Sequence, residues 1–117
     1  MFAVLALGLE KLAERISEEF EADVFFSPED IDYSCYDFVL VTAELTDERV
    51  LDLRVAGCRL VMFLVTSVES FESMMVSRAH AEKVLREFGN FEGAILSGYL
   101  SDEEKLFALR ELLNSLL

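Results

Sequence analysis

The chain has no tryptophan and no glutamine, only one proline and one histidine, and two cysteines among its 117 residues. Cys35 and Cys58 have neither Cys-x-x-Cys nor metal-ligand spacing, which excludes a zinc ribbon or a dithiol redox motif. They read as reduced, buried thiols of a cytoplasmic protein. The single histidine, His80, has no serine or cysteine pattern beside it, so no nucleophilic triad is legible. Basic residues are scarce as well: 10 against 23 acidic ones give a net charge of −13. Such a chain repels polyphosphate, which excludes nucleic acid and anionic membrane surfaces as partners. No apolar run approaches the roughly 18–20 residues of a membrane-spanning helix. The apolar start, residues 2–7, has no basic region before it and is followed by Glu10 and Lys11, so it reads as a strand rather than a leader. The absence of glutamine, with only Asn90 and Asn114, hints at a thermophilic source.

What the chain does have is apolar residues, 53% of the total, arranged with a clear rhythm. Five short runs, at 2–7, 24–26, 38–41, 60–65 and 94–96, alternate with segments patterned as amphipathic helices. Near-continuous apolar strands are expected of a parallel sheet covered on both faces. After the first run, Leu9, Leu12, Ala13, Ile16 and Phe20 fall at helical spacing, with Glu10, Glu14 and Glu18 opposite. Pro28 breaks the pattern after the second strand. The interval before the third strand is about ten residues, which predicts a loop with at most one helical turn.

The third strand is expected over 37–42, a short covering segment over 47–55 and the fourth strand over 59–66. A looser stretch, 67–76, leads into a helix over 78–88, with Ala81, Val84, Leu85 and Phe88 facing the core. The fifth strand is expected over 92–97. The last helix opens at Ser101, three residues before Glu104, the spacing of a reciprocal capping box. Its core face is Leu106, Leu109, Leu112, Leu113 and Leu116. There is no internal repeat or linker, so residues 1–117 read as one domain. The fold class is α/β: a three-layer α/β/α sandwich on a five-stranded parallel sheet.

Local wording points the same way. Residues 9–16, Leu-Glu-Lys-Leu-Ala-Glu-Arg-Ile, resemble the first helix of flavodoxins. Residues 36–41 and 61–67 are similar to the third and fourth strands of that family, and 81–96 to its closing helix, turn and strand. The resemblance implies the strand order 2-1-3-4-5 and a flavin phosphate loop after the first strand, rich in hydroxyls and backbone donors. This chain has Leu7-Gly8-Leu9-Glu10 there, with no hydroxyl and a carboxylate where phosphate would sit. Gly8 therefore reads as a turn residue, and no cofactor is expected, FMN included. The loop after the third strand is Ala43-Glu44-Leu45-Thr46-Asp47, without the aromatic surface that the family offers to the flavin ring. The rhythm of 95–104 is also similar to receiver domains. Thr42 and Gly98 stand where their phospho-acceptor aspartate and lysine would fall, so only a phosphorylation-incompetent pseudo-receiver is compatible.

Ligands of open parallel sheets bind beyond the carboxyl ends of the strands, at the reversal of strand order. The candidate ligand-binding residues are accordingly Gly8, Thr42, Glu44, Thr66, Ser67 and Ser70. Against a ligand role stands ordinary capping of strand ends and helices by Thr42, Thr66 and Ser67. Glu44, Asp47, Glu48, Glu69 and Glu72 have no metal-ligand spacing and read as solvated carboxylates, so neither catalytic nor metal residues are assigned. Phe71, Met74, Met75 and Phe107 exceed what the core stripes need, and would serve a protein partner or a homodimer. The expected function is a flavin-free interaction or regulatory module. The alternatives are a small-ligand-binding protein or enzyme working through the loops after strands three and four, and the pseudo-receiver.

Overall fold

The structure, a computed structural model, describes residues 1–50, 52–53, 58–66 and 92–117. The strands are β1 (Phe2–Ala6), β2 (Asp23–Phe25), β3 (Phe38–Glu44), β4 (Leu60–Val65) and β5 (Gly93–Leu96), and the helices α1 (Glu10–Phe20) and α2 (Asp102–Leu116). The strands form one parallel sheet in the order β2-β1-β3-β4-β5; the apolar runs predict the five strands, and the flavodoxin resemblance implies their order. The chain is thus an α/β protein.

Alternation along each strand divides the core in two. Phe2, Val4 and Ala6 of β1, Phe38 and Leu40 of β3, and Val61, Phe63 and Val65 of β4 face the layer made by both helices. There they meet Ala13 and Ile16 of α1 and Leu106, Leu109 and Leu113 of α2. Phe2 and Phe38, paired in register, stack with ring centroids 4.9 Å apart. The intervening residues, among them Leu5, Val41 and Leu64, face the other way, against Ile31, Leu45, Val50 and Leu53. Because both faces are covered, the central strands are apolar throughout except at Thr42 and Glu44 of β3, and this is why the runs are continuous rather than alternating. The helix expected over 78–88, the stretch 67–76 and the stop at Gly57 lie outside the described residues.

Three local expectations are corrected. The interval between β2 and β3 holds two single 3-10 turns, Pro28–Asp30 and Tyr33–Cys35, rather than at most one turn. Proline opens the first, and Asp32 opens the second by accepting from the Ser34 amide at 3.2 Å. Cys35 is exposed and Cys58 half-buried, both free. The second turn carries Cys35 outward, where its thiol donates to Asp32 Oδ2 at 3.4 Å. β3 runs two residues beyond its expected end because β4 continues to pair with it as far as Glu44 and Val65.

The two described helices start differently. α2 opens on the expected box: Ser101 Oγ accepts from the Glu104 amide at 3.2 Å, and Glu104 Oε1 accepts from the Ser101 amide at 3.1 Å. α1 has no side-chain cap. Leu9, immediately before it, adopts a left-handed conformation with φ 57°. Gly8 is not the residue that makes the turn. A Cβ on Gly8 would meet Ala43 and Glu44 backbone atoms at 3.6 Å, ordinary van der Waals contact. Gly93 at the start of β5 is the opposite case, with φ 140° and a hypothetical Cβ driven into the Met62 backbone.

Gly93→Ala is therefore expected to destabilise the fold by roughly 2–4 kcal/mol, and Gly8→Ala by less than about 1 kcal/mol. Urea unfolding midpoints at equal m-values measure both.

Candidate functional site

The reversal of strand order falls between β1 and β3, where the three-residue connection Leu7-Gly8-Leu9 leaves the sheet beside Thr42. A phosphate held there would need the backbone N–H groups of that connection. Both N–H groups at its start are already engaged: Leu7 and Gly8 each donate to the Thr42 carbonyl at 3.0 Å. The Thr42 hydroxyl donates to the Gly8 carbonyl at 2.9 Å. The Leu7 carbonyl accepts from Arg49 Nη2. All four backbone polar groups of Leu7 and Gly8 are thus bonded within the chain. Thr42 itself is 0% exposed, so its hydroxyl must be satisfied internally.

Arg49 is held in place from its own side. Its Nε donates to both oxygens of Asp47 at 3.0 and 3.2 Å, and Nη2 reaches Asp47 Oδ2 at 2.6 Å. The guanidinium hydrogen bond draws the Asp47 carboxyl below its ordinary value of 3.8, against the opposing effect of burial. Asp47 in return raises Arg49 above its already high value. Sequence reasoning missed Arg49. The available signal was a cation directly after Asp47 and Glu48, the first basic residue after the third strand.

The other candidate residues are placed as follows. Thr66, just past β4, donates its amide to the Leu96 carbonyl at 2.8 Å, and its hydroxyl accepts from the Gly98 amide at 3.2 Å. It ties the end of β4 to the loop before α2, two strands away from Gly8. Gly8 and Thr42 are in contact. Glu44 ends β3 with an exposed side chain, and its carbonyl accepts from the Asp47 amide at 3.0 Å. Ser67, Ser70, Glu69, Glu72, His80, Phe71, Met74 and Met75 lie outside the described residues. Phe107 is 62% exposed on α2. Among the described residues, no cluster of three His, Cys, Asp or Glu side chains could hold a metal ion.

Two concavities flank the closed reversal point on the same rim of the sheet. One, of about 370 Å³, lies where both helices begin, between Leu12, Arg15 and Lys105. It mixes Lys11, Arg15 and Lys105 with Glu10 and Asp102, and Arg15 is paired to Glu103 at 2.9 Å. The other, of about 450 Å³, lies between the end of β2 and the turn after β3, lined by residues 26–29, Arg49, Asp52 and Leu53. Neither was legible from spacing, since each joins residues distant in the chain.

No family model matches the chain, and no curated protein or solved structure matches it either.

Thr42→Val leaves the Gly8 carbonyl without its donor and is expected to cost about 1–2 kcal/mol in urea unfolding, while Thr42→Ser costs less. The Asp47–Arg49 pair also predicts a pH dependence. A carboxyl lowered in the folded state contributes its full stability above the unfolded value of 3.8 and loses it as pH falls through the lower folded value. Asp47→Asn should therefore be less stable than the parent at about pH 6, and the gap should narrow towards about pH 3.

Proposed function

We propose that this chain is a flavodoxin-like module that binds no flavin and works by docking another protein along the carboxyl rim of its sheet. One observation carries the reading: the backbone groups of Leu7 and Gly8 that would cradle a phosphate are bonded to Thr42 and Arg49. Freeing them would strand the buried Thr42 hydroxyl and carbonyl, at a cost of about 1–3 kcal/mol for each group left unpaired. A phosphate arriving there would also meet the carboxylate of Glu10, at the start of α1. The strand order and the apolar wording of the strands support the flavodoxin-like part of the proposal.

The pseudo-receiver alternative is disfavoured by the two 3-10 turns between β2 and β3, where receivers place a whole helix. The free thiols Cys35 and Cys58 suit a cytoplasmic setting. None of the described helices is long and apolar enough to cross a membrane. A surface of net charge −13 selects against anionic partners and favours cationic ones.

FMN titrated into the protein at micromolar concentration should keep its fluorescence unquenched and leave the melting temperature unchanged. Stoichiometric quenching with a rise in melting temperature overturns the proposal.

A further inference from the structure

The groove between the end of β2 and the turn after β3 has features that fit one kind of occupant. Its apolar part is Phe26, 54% exposed at the mouth, with Pro28 beside it and buried Leu53 beneath. An exposed aromatic ring at the edge of a concavity offers apolar area that a partner can bury. The polar part is acidic. Glu29 and Asp52 line the groove, Asp30 follows Glu29 in the chain and Glu48 precedes Arg49 of the lining, all four exposed. None of the four has an ion-pair partner among the described residues. Among the described residues the one cation in the lining, Arg49, is committed to Asp47 and the Leu7 carbonyl, so it does not offset them.

The walls are also fixed before anything binds. Tyr33 donates its hydroxyl to the Pro28 carbonyl at 2.9 Å, and the Asp30 amide donates to Ser27 at 3.2 Å. On the other side, the Asp52 amide donates to Arg49 at 3.2 Å. A preformed groove avoids part of the ordering entropy that weakens loop-mediated contacts. Its volume is within the usual range of about 300–1,000 Å³ for ligand-sized sites.

Resting on the interaction-module reading above, we infer that this groove docks a lysine- or arginine-rich segment of a partner protein through one apolar anchor seated against Phe26. The anchor buries the exposed ring, and the flanking cations meet Glu29, Asp30, Glu48 and Asp52. Charge complementarity identifies the occupant: an acidic or neutral apolar segment would bury the same ring but leave four carboxylates facing like charge or nothing.

The test uses the full chain and a fluorescein-labelled lysine–alanine peptide with one central leucine, followed by anisotropy at physiological salt, where distant attraction is screened. Binding is expected, weakened about tenfold when the peptide leucine becomes serine or when the protein carries Phe26→Ser, as for an interface anchor. Glu29→Gln combined with Asp52→Asn should weaken binding and flatten its salt dependence. Phe107→Ser, an equally exposed aromatic on α2, should change affinity by less than about twofold. Unfolding midpoints verify that each variant is folded. Absence of binding, indifference to Phe26→Ser, or equal loss in Phe107→Ser overturns the groove assignment. Those results leave the flavin titration untouched, so failure of the groove and failure of the flavin-free reading are separately visible.

Discussion

Thr42 is the residue on which the rim of this sheet depends. It lies at the carboxyl end of the β1–β3 seam with no exposure, and a buried hydroxyl or carbonyl without a partner is costly. Its carbonyl takes two amides and its hydroxyl meets the Gly8 carbonyl, so it fixes the chain as β1 ends. The path from strand to helix is then only three residues long. Leu9 completes it in a left-handed conformation that costs a branched residue about 1–2 kcal/mol. Its side chain packs against the helix-side core, and its carbonyl accepts from the Ala13 amide at 2.9 Å, both of which offset that strain.

The same interaction decides what the rim offers a ligand. Doubly wound sheets place their sites where strand order reverses because diverging connections leave a crevice there. In this chain the crevice is filled by its own backbone hydrogen bonds, with Arg49 covering the remaining carbonyl. Concave surface remains to either side. On the β2 side it is apolar at the mouth and acidic around it, a combination suited to a protein segment rather than to a nucleotide.

Much of the architecture was legible because burial on both faces leaves a direct trace. Val39, Leu40 and Val41 are successive and all 0% exposed, which only a covered central strand requires. The Ser101–Glu104 capping box was equally readable, being a local rule with fixed spacing. Less was legible where a residue's role depends on a distant one. Thr42 appeared as a candidate ligand contact, and its bond to Gly8 spans 34 positions in sequence. Arg49 reaches Leu7 across 42. Gly8 suggested a glycine-dependent turn, yet the left-handed residue of that turn is Leu9, and among the described residues the glycine with no room for a Cβ is Gly93, whose constraint comes from β4. The exposure of Cys35 was likewise hidden, because it follows from an Asp32-initiated turn rather than from hydropathy.

The most direct measurement of the central claim is native-state amide hydrogen exchange at Leu7 and Gly8. If both amides are bonded to the Thr42 carbonyl, they exchange as slowly as their neighbours in β1 and β3, through global unfolding alone. Exchange at the rate of an open loop, with acceleration absent in Thr42→Val, would contradict it.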